Sequence, residues 1–66
     1  MNLGTVKWFD DDKGYGFIKG DDGEEYFVHR TRLYMKNRGT LETGQRVGFD
    51  IEESEKGKMA IEVKTE

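Results

Sequence analysis

The sequence has no cysteine, no proline, one histidine and one serine. Without cysteine there is no disulfide framework, no thiolate nucleophile and no Cys-based zinc site. Without proline no prolyl isomerisation step slows folding. His29 has no second histidine to pair with, and Ser54 lies in an acidic stretch with no base beside it, so neither builds a nucleophilic site. No P-loop is present. The run Asp10, Asp11 and Asp12 lacks the spaced ligands and terminal glutamate of a calcium loop and reads as a solvated turn. These absences exclude the common enzyme constellations, and we expect no catalysis, no metal, no cofactor and no small-molecule substrate.

Long hydrophobic runs are also missing. Nothing approaches the roughly 20 apolar residues of a membrane-crossing helix. The start, MNLGTVKW, does not have the basic-then-apolar form of a signal peptide, which makes the cytoplasm the expected location. Sixty-six residues allow one domain, 1–66, with a small core, since a chain of this size buries only about 60% of its unfolded surface. The net charge of −3 weighs against a nucleic-acid partner until it is mapped. Residues 1–38 hold seven basic and seven acidic side chains, whereas residues 39–66 hold four and seven, so the surplus lies wholly in the second stretch. The first stretch is neutral and rich in aromatics.

Short alternating stretches separated by turn residues predict an all-β fold of five strands, at about 3–9, 14–20, 25–30, 46–52 and 59–65. Three breaks are tight; the connection from about Thr31 to Gln45 is long, and its start, capped by Thr31, could form one helical turn. In strand four Val47, Phe49 and Ile51 alternate with polar residues and glycine. In strand five Met59, Ile61 and Val63 alternate with Ala60, Glu62 and Lys64, which predicts one buried and one wet face each. Closing five short strands into a barrel removes the open edges that invite aggregation.

Strands two and three break this pattern. Lys13, Tyr15, Phe17 and Lys19 share one face of strand two, opposite Gly14, Gly16, Ile18 and Gly20. Turning the two rings inward would bury both lysines, so all four are expected outside, with Ile18 filling the low interior face. With Tyr26 and Val28 inward on strand three, Phe27 and His29 stand beside Tyr15 and Phe17. A flat aromatic patch bordered by cations suits single-stranded nucleic acid, because each base has a π-face to stack and each phosphate a charge to meet.

The stretches GTVKWF, KGYGFI and YFVH, in that order and at this spacing, resemble the cold-shock domain family over essentially the whole chain. KGYGF alone also resembles part of the RNA-recognition motif, but that fold needs two helices, the opposite motif order and a longer chain. The resemblance implies a five-stranded antiparallel barrel of the oligonucleotide-binding (OB) class and single-stranded RNA or DNA as ligand. It implies a stacking surface of Trp8, Tyr15, Phe17, Phe27 and His29, with Lys7 and Lys13 beside it and Phe9 at its edge. Strict alternation would put Trp8 on the face of Val6. Either strand one carries a bulge there or one of the two is misassigned, and the resemblance implies Trp8 outward and Val6 inward.

This chain also departs from the family pattern. Arg30 and Arg38 stand where aromatics are usual, and either can stack its guanidinium or meet a phosphate. Asp10 replaces a usual asparagine, Lys58 a common proline, and Tyr26 a smaller residue whose replacement needs a partner for its hydroxyl. Lys56, in the acidic turn after strand four, is a further candidate phosphate contact. The expected function is a monomeric single-strand binder of low sequence selectivity acting as an RNA chaperone, with no membrane association. The alternative is an OB-fold protein-interaction module that uses the same aromatic patch.

Overall fold

The computed structural model describes residues 1–34, 41–55 and 57–65, so Arg38 and Lys56 lie outside the described residues. Its strands are β1 (Asn2–Asp10), β2 (Tyr15–Gly20), β3 (Glu25–His29), β4 (Arg46–Ser54) and β5 (Gly57–Thr65). All five expected strands are present, with ends displaced by at most two residues. They close into a barrel in the order β1-β2-β3-β5-β4, as an OB-fold does. Four neighbouring pairs are antiparallel. The seam between β3 and β5 is parallel and consists of one pair, Phe27 with Met59, a departure from a wholly antiparallel barrel. A parallel pair needs a long crossover, and residues 30–45 together with β4 supply it.

The chain leaves β3 through a single 3-10 turn, Arg30–Arg32 (η1), earlier than the helical turn expected from Thr31. Its N-cap is His29 rather than Thr31: the imidazole Nδ1 accepts the Thr31 backbone N–H at 3.3 Å. Leu33 then bridges to Val63 of β5 and joins the core.

The core is Val6, Ile18, Tyr26, Val28, Leu33, Leu41, Val47, Phe49, Ala60 and Val63, with Phe9 and Ile51 packed against it. On β5 the expected inward set is wrong at two places. Ala60 and Val63 are buried, whereas Met59 and Ile61 are only half-buried. The cause is a bulge: between the pairs Gly48 with Lys64 and Asp50 with Ile61, one β4 residue faces two of β5, and Glu62 adopts φ +53°. A left-handed backbone costs a non-glycine residue roughly 1–2 kcal/mol. Here it reverses the side-chain parity, so that Val63 turns inward and Met59 and Ile61 stay outside.

Tyr26 fills the barrel end, its ring 5.1 Å from that of Phe49 and its hydroxyl donating to Asp22 Oδ2 at 2.6 Å. That bond is the partner its hydroxyl requires. It also pushes the phenol up to about 12, with loss of water and the nearby Asp22 charge adding to the effect. The same bond, helped by the Glu24 backbone N–H, holds the Asp22 carboxyl below its ordinary value of 3.8. On the opposite side of this turn the Arg46 guanidinium forks onto Asp21 through two bonds of 2.8 Å, lowering that carboxyl too.

A phenol raised in the folded state stabilises the fold fully below its ordinary value of 10.0, and the contribution drains away as pH climbs towards about 12. Asp22, being lowered, stabilises above its ordinary value and ceases to do so in acid. Tyr26→Phe should therefore be less stable than wild type at neutral pH, and the gap should narrow on the alkaline side of 10. Urea midpoints measured across that range test this, and curves that stay parallel would refute the coupling.

Candidate nucleic-acid interface

The outer face of β1, β2 and β3 depends on a second bulge. Val6 pairs with Ile18 and Trp8 with Phe17, so Lys7 is an extra residue on β1. Val6 is buried at 1% exposure while Trp8 stands out at 38%, the arrangement that strict alternation forbids. Gly16 lets β1 lie this close, because a Cβ there would collide with the Phe9 Cα, 2.7 Å away.

Register then lines up the rings. Trp8, Phe17 and Phe27 are successive partners across three strands, and Tyr15 with His29 forms the next row. Centroid distances are 5.6 Å for Trp8–Phe17, 5.7 Å for Phe17–Phe27, 5.8 Å for Tyr15–Phe27 and 5.9 Å for Trp8–Tyr15, so the four rings make a closed circuit. Tilted and edge-on contacts of this kind hold rings in place while leaving part of each face open. His29 is half-buried beside Tyr15, and its Nδ1 accepts the Thr31 backbone N–H at 3.3 Å and lies 3.0 Å from the Thr31 hydroxyl.

Phe9, expected at the edge of the patch, lies on the other side of β1 from Trp8, half-buried against the core and outside the ring circuit. Met59, expected in the core, continues the row as the partner of Phe27 and lines an apolar groove with Phe17, Phe27 and Lys58. Its thioether is a soft apolar surface that packs well against flat rings. Only the positive φ of Glu62 accounts for this placement, and no sequence signal marks a glutamate for that conformation.

The cations divide into paired and unpaired. Lys7 holds Glu25 at 2.8 Å and Lys58 holds Glu24 at 3.3 Å, both half-exposed. The Lys7 bond, with lesser help from Lys19, pulls the Glu25 carboxyl below its ordinary value. Lys13 and Arg30 have no carboxylate partner among the described residues. Lys13 sits in the turn between β1 and β2, where Asp10 Oδ1 accepts the backbone N–H groups of Asp12 and Lys13, both at 3.0 Å. Arg30 donates its backbone N–H to Gly14 and lays its guanidinium over that residue, whose φ of +77° and missing Cβ make the space. The structure therefore brings Trp8, Tyr15, Phe17, Phe27 and His29 to one outer face with Lys7 tied to Glu25 across it, and places Lys13 in, and Arg30 against, the turn at its Tyr15 end.

The model for the "'Cold-shock' DNA-binding domain" matches residues 2–66. The chain is 52% identical over 63 residues to Cold shock protein 1 of Lactiplantibacillus plantarum, covering 96% of both. It is 51% identical over 61 residues to a Cold shock-like protein of Thermotoga maritima, covering 92% of both. With the Major cold shock protein of Streptococcus pyogenes serotype M18 the identity is 43% over 63 residues, 96% of this chain and 94% of that one. The solved structure of drosophila Unr CSD456 superposes with a TM-score of 0.79 at 23% identity, a likeness of fold that covers 98% of this chain and 26% of that one. A match that runs the length of the barrel, with relatives as long as the chain itself, settles the family: the chain belongs to the cold-shock domain family, whose OB-fold barrels bind nucleic acid.

Proposed function

We propose that the chain binds single-stranded RNA and DNA by stacking splayed bases on the Trp8–Tyr15–Phe27–Phe17 circuit, with little sequence preference, and acts as an RNA chaperone. The observation that carries this is the circuit itself: four rings in mutual contact on an outer face, bordered by Lys13 and Arg30 with no acidic partner among the described residues. Every base has a π-face, so stacking discriminates weakly among sequences, and ring faces do not read the 2′-hydroxyl that separates RNA from DNA. A duplex hides those faces. Binding only the open strand shifts pairing towards the open form by mass action, with no nucleotide hydrolysis and no catalytic step. The circuit is complete within one chain, which suits a monomer acting in the cytoplasm. Arg38 and Lys56 enter this proposal from the sequence alone.

Trp8 is both a platform residue and the reporter. Its fluorescence should be quenched by oligo-dT and oligo-U with similar affinities and far less by duplex. Phe17→Ala and Phe27→Ala should each weaken single-strand binding by roughly 1–3 kcal/mol with the fold retained. Ile18→Ala should instead lose roughly 2–5 kcal/mol of stability through its cavity. Unaltered binding per folded molecule in both ring variants would refute the platform, and a full absence of quenching and mobility shift would favour a protein partner.

The Lys7–Glu25 pair adds a second expectation. An exposed pair is weak and can exchange its carboxylate for a phosphate, but Glu25 then regains a counterion and the net release is small. Glu25→Gln leaves Lys7 free to meet a phosphate. Affinity at low salt should rise, and the slope of log affinity against log salt should steepen by up to about 0.7. Titrations at several salt concentrations measure this, and an unchanged slope would take Lys7 off the phosphate path.

A further inference from the structure

Beyond the platform, η1 and β5 enclose a shallow groove of about 250 Å³ lined by Thr31, Arg32, Leu33, Tyr34, Ile61 and Glu62. We propose that this groove takes one further nucleotide of a bound single strand, its base against Tyr34 and its phosphate towards Arg32. The proposal rests on the platform being a single-strand site, and it extends the footprint to a part of the barrel that the family motifs do not reach. Three observations support it. The groove is continuous with the platform, because Thr31 on its wall is bonded to His29 Nδ1 at 3.0 Å through its hydroxyl. Tyr34 is 40% exposed, one of few large apolar side chains so open, and its backbone N–H to Val63 O at 2.8 Å fixes its base. Lys64 Nζ sits 4.6 Å from the ring centroid, bracing one face and adding positive charge.

The electrostatics set the orientation of the nucleotide. Glu62 lines the groove and repels a phosphate from its floor, while half-buried Ile61 and buried Leu33 offer an apolar floor to a base. Among the described residues Arg32 is paired with Glu52 at 3.6 Å, with both side chains half-exposed, a contact that a phosphate can replace. A base therefore enters with its phosphate left at the rim.

The test is a series of Trp8 quenching titrations with oligo-deoxythymidylates lengthened one nucleotide at a time. Wild type should gain affinity up to the length that reaches the groove. Tyr34→Ala should remove the last gain, lowering affinity for the longest strands roughly 5- to 150-fold and leaving strands that cover only the platform unchanged. Tyr34→Phe should retain the gain. Glu52→Gln, which frees Arg32 from its exposed carboxylate partner, should steepen the salt slope by up to about 0.7 for the long strands alone. Loss at no length, or equal loss at every length, with Tyr34→Ala would overturn the proposal. Phe27→Ala weakens binding at all lengths, so if even the longest strands respond to Phe27→Ala but not to Tyr34→Ala, the groove is refuted and the platform kept. Wild type binding no strand would refute both.

Discussion

Side-chain parity is the constraint on which this barrel depends. A strand places alternate residues on opposite faces, so a sequence can bury its aliphatic residues and display its rings only if the count between them is right. On β1 it is not: Val6 and Trp8 are two apart and would share a face. One extra residue at Lys7 corrects it. Without that bulge either Val6 leaves the core, or Trp8 enters it and the ring circuit loses the member that joins Tyr15 to Phe17. The same correction at Glu62 turns Val63 into the core next to Leu33 and leaves Met59 outside against Phe27. The two bulges thus set both the core and the surface.

The electrostatics follow from where charge is allowed to stay unpaired. Most of the acidic groups near the interface are engaged: Glu25 by Lys7, Glu24 by Lys58, Asp22 by Tyr26 and Asp21 by Arg46. The charges of Glu25, Glu24 and Asp21 are thereby partly offset by local cations, while Lys13 and Arg30 remain available at the Tyr15 end. A chain of net charge −3 can then still present a face suited to a polyanion. On the proposed reading much of the affinity comes from stacking, which salt screens little.

Most of this was legible in the sequence for a physical reason. The five strands came from alternation and turn residues, and the outward placement of Tyr15 and Phe17 followed from the cost of burying Lys13 and Lys19 with them. Tyr26 announced its need for a partner, though not that Asp22, four residues back, would supply it. β5 was misread at Met59 and Ile61 because a bulge is a one-residue defect in a period-two signal, and a glutamate gives no warning of left-handed backbone. The cap by His29 was missed because imidazole is not among the usual capping groups. The residues that sequence reasoning misplaced, Met59 and Ile61, are those on which the platform and the groove beyond it border.

Displaying rings has a cost that a small domain meets with difficulty. Stability for a chain of this length is on the order of 3–10 kcal/mol, and every ring kept outside is apolar surface not used to raise it. The barrel offsets this with contacts among the exposed rings themselves, each partly covering its neighbours, and with a core in which Tyr26 supplies bulk that an aliphatic residue would not. Ring contacts that are tilted or edge-on rather than stacked face to face also leave the faces for a ligand. The geometry that limits the exposure of the rings in the free protein is therefore the same geometry that leaves their faces open to the bases of the proposed ligand, and a stronger mutual stacking of the rings would stabilise the barrel by closing that proposed site.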